Sequence, residues 1–143
     1  MIAVDTNILV YAHREELPQH ERAREQIVQL AEGGTPWGIP VFCIGEFIRI
    51  ATHPRLFDPP YSAGEACDAM ERLLESPSLH LLCPGSGYLP LFQQAVRDAN
   101  ATGNLVFDAQ IVAVCRESGV SMFITEDRDF TRFSGFKTRH LQS

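Results

Sequence analysis

The chain has 143 residues, 45% of them hydrophobic and 21% charged, with a formal net charge of −6. That size suits one domain, residues 1–143, around one core, and the composition excludes extensive disorder. The acidic balance excludes a protein that coats nucleic acid non-specifically, because such proteins are basic.

Other classes fall away on equally simple grounds. No apolar run approaches the ~18 residues of a membrane span. Met1 leads directly into Ile2-Ala3-Val4, with no basic segment or cleavage site, so no membrane association and a cytoplasmic location are expected. Cys43, Cys67, Cys83 and Cys115 show no C-x2-4-C spacing. They read as free structural thiols in a reducing compartment, not as a zinc site.

Ile2-Ala3-Val4 reads as a buried strand ending at Asp5, and Thr6 or Asn7 is a candidate cap for a short helix after it. Residues from about 19 to 32 carry Ala23, Ile27, Leu30 and Ala31 at helical spacing, and Gly33-Gly34 ends that helix. Trp37-Gly38-Ile39 is a second strand. Pro40 suits the first position of a helix running to about Thr52, stopped by Pro54. After a proline- and aromatic-rich loop, Ser62 and Glu65 form a capping-box pattern for a helix to Leu74. Leu79 to Cys83 is a strand, and Tyr88 to Asn100 a helix. The break Thr102-Gly103-Asn104 precedes an apolar helix from Val106 to Glu117. Met122 to Thr125 is a buried strand, and Phe136 to His140 a candidate final one. Short apolar strands alternating with helices predict an α/β fold: a short central parallel sheet covered by helices on both faces.

Four carboxylates stand out against this frame. Asp5 and Asp127 follow the carboxyl ends of strands, where open α/β sheets bind ligands. Glu46 has apolar Phe42 and Ile50 one turn away on either side, and Asp108 heads a stripe of Ile111, Val112 and Cys115. Each has an ordinary alternative. Asp5 and Asp127 can start turns, Asp108 favours a helix N-terminus, and Glu46 can pair with Arg49. As a set they indicate more. Carboxylates within ~5 Å repel by roughly 3 kcal/mol per pair at an effective dielectric of ~20, so a cluster requires protons or cations. Oxygen ligands without His or Cys suit Mg²⁺ or Mn²⁺, which would support phosphodiester hydrolysis. Asn7 and Thr125 are candidates to orient these acids or a bound water. Asp129 is either a further outer acid or a solvated one. Arg14, Arg49, Arg55 and Arg128 are candidate phosphate contacts along the groove.

The motifs resemble a known family. Val4-Asp5-Thr6-Asn7-x-Leu9-Val10-Tyr11-Ala12 resembles the opening motif of PIN domains, specifically the VapC toxins of toxin–antitoxin pairs. Glu46 sits in a helix as the family's second acid does. Asn104-Leu105-x-x-Asp108-Ala109-x-Ile111-x-Ala113 resembles the third motif, and Thr125-x-Asp127-Arg128-Asp129-Phe130 the fourth. Segments such as His20-Glu21-Arg22-Ala23-Arg24 resemble an actinobacterial branch. The resemblance implies a PIN fold, Mg²⁺- or Mn²⁺-dependent endoribonuclease activity at Asp5, Glu46, Asp108 and Asp127, and a homodimer. It also implies a VapB-like antitoxin whose C-terminal segment covers the groove.

Rival readings fit less well. A HAD-type phosphatase needs an acid where Asn7 stands, and a receiver domain needs a lysine that Lys137 is too far along to supply. A non-catalytic PIN-fold binding module would lose an acid. A metal-free ribonuclease would use a pair among His13, His20, His53, His80 and His140, which show no recognisable pairing.

Overall fold

The computed structural model describes residues 1–141. The chain runs through β1 (Ile2–Val4), α1 (Thr6–His13), α2 (His20–Glu32), β2 (Trp37–Pro40), α3 (Val41–Ala51) and α4 (Ala63–Leu74). It continues through β3 (Leu79–Leu82), α5 (Tyr88–Ala99), α6 (Leu105–Glu117), β4 (Met122–Ile124), a 3-10 helix (Arg128–Arg132) and β5 (Thr138–Arg139). The strands form one sheet in the order β3-β2-β1-β4-β5, with every pair parallel. The expected α/β architecture is therefore present, with α-helices flanking a short parallel sheet.

The strand order positions the site. From β1 the chain builds outward through β2 to β3, then returns to the other side of β1 for β4 and β5. A crevice opens at the carboxyl ends of strands where the winding reverses. Here that point lies between β1 and β4, whose register pairs Val4 with Ile124. Asp5 extends the pairing by one bond, donating its N–H to the Ile124 carbonyl at 3.0 Å. Asp5 and Thr125 thus leave the sheet side by side, although 120 residues separate them.

The central strands read as continuous apolar runs because both their faces are covered. Ala3, Val4, Phe123 and Ile124 are fully buried. Phe123 packs on Phe130 and Phe136 at centroid distances of 5.0 and 5.5 Å. Each such ring contributes roughly 1.5–3 kcal/mol by leaving water. The edge strand β3 differs from expectation, since His80 and Leu81 are exposed there.

Three local readings need correction. Neither Thr6 nor Asn7 caps α1; Asp5 does, its side chain accepting from Thr6 N–H. Pro40 is the last residue of β2, paired with Leu82, and α3 begins at Val41 with no loop between. Its extended backbone (φ −58°, ψ 135°) keeps it in the strand, where the missing N–H is tolerated at the end. The final strand is shorter than Phe136–His140, and a 3-10 helix that the sequence did not announce precedes it. The Ser62–Glu65 capping box forms as expected.

Candidate active site

Asp5 is buried behind the acidic groove and is not part of its lining. It is 5% exposed. Its Oδ1 accepts from Thr6 N–H at 2.7 Å and from the Cys43 thiol at 3.7 Å, and its Oδ2 accepts from Thr125 Oγ1 at 2.7 Å. Burial pushes the carboxyl from 3.8 up to about 6 against the pull of the Thr125 and Thr6 hydrogen bonds, and Glu46 and Asp127 add to the rise. Burial also pushes the Cys43 thiol well up, so it stays protonated and donates. Sequence reading treated Cys43 only as a small hydrophobe. The signal for its position was its spacing: Cys43 and Glu46 lie three residues apart, on one face of α3.

Thr125 is fully buried. While donating to Asp5 it accepts from Asp127 N–H at 3.0 Å and from Asn7 Nδ2 at 3.5 Å. Asn7 Oδ1 in turn accepts from Glu126 N–H at 3.4 Å. The two residues nominated to orient the acids therefore join β1, α1 and the turn after β4.

Asp108 projects from the first turn of α6. Burial pushes its carboxyl from 3.8 up to about 7, with further contributions from Asp127, Asp5, Asp129 and Glu46. Asp127 caps the 3-10 helix, its Oδ1 accepting from Asp129 N–H at 2.9 Å. That tight turn brings Asp129 alongside. One carboxylate oxygen from each of Asp108, Asp127 and Asp129 lies within 4.8 Å of the others. The closest trio thus includes Asp129, for which the sequence allows either an outer acid or a solvated one, and does not include Asp5 or Glu46. Glu46 lines the same groove, of about 840 Å³, with these three and Arg49.

The donor set fits a hard divalent cation. Only carboxylate oxygens converge, the donor type that hard cations such as Mg²⁺ take. No basic side chain among the described residues forms an ion pair with them. Among the described residues the ion pairs are Arg14–Glu16 and His140–Glu126, both outside the cluster. The alternative pairing of Glu46 with Arg49 is not formed.

The PIN-domain model matches residues 2–135, a span that includes all five of these acids. This chain belongs to the PIN-domain family. Within it, ribonuclease VapC43 of Mycobacterium tuberculosis is 36% identical over 140 residues, which cover 98% of this chain and 95% of the relative. Ribonuclease VapC31 of the same organism is 30% identical over 142 residues, covering 99% and 98%. The chain is thus a PIN-domain protein of the VapC ribonuclease branch. Solved structures share the fold at lower identity. VapBC2 from Rickettsia felis, bound to a DNA fragment from its promoter, gives a TM-score of 0.72 at 14% identity, covering 99% of this chain and 100% of that one. Mycobacterium tuberculosis VapC20, described as a sarcin-ricin-loop-cleaving toxin, gives 0.64 at 20% identity, covering 95% and 96%.

Around the PIN-domain groove, the four nominated arginines separate. Arg49 lines it. Arg55 and Arg128 are exposed and outside its lining, although Arg128 sits between two of its acids in sequence. Arg14 does not border the groove. It is 7% exposed, with its guanidinium over the rings of Phe57 and Tyr61 at 4.3 and 5.1 Å, and it donates to the Pro59 carbonyl and to Glu16. Its sequence context, a basic residue after the first motif, carried no sign of this aromatic clamp. The histidines are also elsewhere. His13, His20 and His140 each meet a backbone carbonyl through Nδ1, His53 Nδ1 accepts from Arg55 N–H, and His80 is on the edge strand.

Proposed function

We propose that this PIN-domain protein is a divalent-cation-dependent endoribonuclease, the toxin of a toxin–antitoxin pair. Asp5, Glu46, Asp108 and Asp127 would hold Mg²⁺ or Mn²⁺, with Asp129 as a further carboxylate. The carrying observation is the convergence of acids without a counter-ion in the groove of a VapC-branch chain. A bound cation would supply positive charge at the phosphate and lower the pKa of a water, so that it loses a proton and attacks as hydroxide.

The protein's own residues do the rest. The three hydrogen bonds on Asp5 fix its carboxylate, so little ordering is required when the cation arrives. Thr125 couples that carboxylate to the backbone of Asp127, so the two acids keep one spacing. Arg49 offers the guanidinium fork that suits a phosphate oxygen pair. The hydrolysis forms one bond from water oxygen to phosphorus and breaks one to the leaving ribose oxygen.

Partners follow from the same reading. A protein antitoxin is supported by fold neighbours solved as VapBC assemblies, including those of Haemophilus influenzae and Salmonella typhimurium. A homodimer in the cytoplasm is the corresponding assembly and location. Among the described residues no helix is long and apolar enough to cross a membrane.

The deciding experiment maps cleavage of total cellular RNA by wild type and Asp5→Ala, with Mg²⁺ or Mn²⁺ and with EDTA. Cleavage is expected only for wild type with metal. Cleavage that persists in EDTA would refute the acidic mechanism and restore the histidine alternative.

A further inference from the structure

Phe107 precedes Asp108 on the first turn of α6 and is 61% exposed, more than any other large hydrophobic side chain among the described residues. A single exposed apolar residue is ordinary on a protein surface. Phe107 differs because it lines the acidic groove together with Arg49, Asn104 and Gln110. The groove's other phenylalanine, Phe42, pairs with Tyr88 at 6.2 Å, whereas Phe107 has no aromatic partner among the described residues. Its ring is therefore open to a ligand that also reaches the carboxylates.

We propose that Phe107 is a stacking platform for the base of one nucleotide beside the scissile phosphate, with the Asn104 and Gln110 amides at hand to read its edge. The inference rests on the ribonuclease reading of the groove. An acidic protein with one groove-lining arginine has little electrostatic attraction for RNA, so binding needs a contribution that is not charge. Base–aromatic stacking supplies one, because every base has a π-face. The base must be unstacked from its neighbours, so the substrate is single-stranded at the cut. Amide side chains offer both donors and acceptors, which suits a preference among bases.

The other exposed apolar groups lie on other elements. Leu89 lies at the start of α5, beside the far end of α6, where Gly87 N–H donates to Glu117. Leu81 is on the edge strand β3. Within the groove, Phe107 is thus the ring without an aromatic partner among the described residues, set beside acids and amides.

The test uses a pool of short, randomised single-stranded RNA oligonucleotides with Mg²⁺ or Mn²⁺, with the cut sites read by sequencing. The preferred sequence is then resynthesised with an abasic site at each position beside the cut. Phe107→Ala is expected to raise KM by about tenfold or more, with the loss falling on KM more than on kcat. It should also flatten base preference at one position, and Phe107→Trp should restore both. The abasic substrate at that position should slow wild type to the level of Phe107→Ala and leave that variant unaffected. An active wild type whose Phe107→Ala variant matches it on intact RNA overturns the proposal. So does a variant that keeps its KM but changes sedimentation mass, which would give Phe107 to a protein contact. A wild type that cleaves no RNA overturns the functional reading itself.

Discussion

Thr125 has one hydroxyl and three neighbours: it donates to Asp5 and accepts from Asp127 N–H and Asn7. Thr125→Val keeps the shape and removes all three bonds. It should cut the cleavage rate and Mn²⁺ affinity by about 10–100-fold, while Thr125→Ser keeps most of both. Wild-type Mn²⁺ affinity in the valine variant, measured by titration calorimetry, would show that Asp5 is oriented without it. Asp108 supports a second prediction. Its carboxyl is pushed up to about 7, largely by burial, so protons compete with a cation near neutral pH. Mn²⁺ affinity should therefore rise between pH 5.5 and 7.5, and Asp108→Asn should bind more weakly with a shallower pH dependence. An equally steep profile in that variant would assign the titration elsewhere. Of these residues, Asp5, Asp108 and Asp127 were legible from their places at strand ends and on a helix face. Asp129 was not, because its role depends on one tight turn, and Cys43 offered only its spacing from Glu46, since its approach to Asp5 needs the fold to bring α3 beside β1.

The loop that follows α3 is fastened to the end of helix α1. Arg14, just past α1, lies between Phe57 and Tyr61 and holds the Pro59 carbonyl. Tyr61 returns the contact, its hydroxyl donating to the His13 carbonyl at 2.8 Å. These links tie the loop to α1 across more than 40 residues. Arg14→Ala should therefore lower stability by about 2–4 kcal/mol, through lost cation–π contact, lost hydrogen bonds and an opened pocket. RNA cleavage measured well below the melting transition should change little, since Arg14 is outside the groove. A chemical denaturation midpoint equal to wild type would refute the clamp. Helix boundaries were mostly legible, because periodic apolar positions and caps are local signals. The Pro40 boundary was not: the same residue type suits a helix start and a strand end, and pairing with Leu82 decided between them.

For the whole molecule, the acid cluster imposes a cost that depends on pH. In chelator, Asp5 and Asp108 hold protons up to about 6 and about 7 in the folded state, against 3.8 ordinarily. The folded state thus binds more protons in that window, and these groups lower stability as pH rises from about 4 to about 7. Asp5, almost fully buried, accounts for about 2–3 kcal/mol of this, and the more exposed Asp108 for less. His13 acts in the opposite sense, because burial lowers its pKa. A difference measurement removes it. In chelator, Asp5→Asn should gain stability relative to wild type as pH rises from about 4 to about 6, and Mg²⁺ or Mn²⁺ should raise the wild-type melting temperature at pH 7.5. A difference that does not change with pH would mean that Asp5 is not held ionised at a cost.

By itself, the sequence determined the alternation of apolar strands and amphipathic helices, the placement of Asp5 and Asp127 after strands, and the motifs of the PIN family. Those features lie within one element or one turn, where periodicity and capping are encoded directly. Only the tertiary structure decided that Asp129 joins Asp108 and Asp127, that Arg14 is sealed away, and that Phe107 stands open beside them. The first and last depend on the strand order that brings α6 and the turn after β4 to one edge, and Arg14 on the loop after α3 folding back over the end of α1. The acids first picked out by strand ends and helix faces thus form no ion pair among the described residues, and this is the physical reason to expect a cation there.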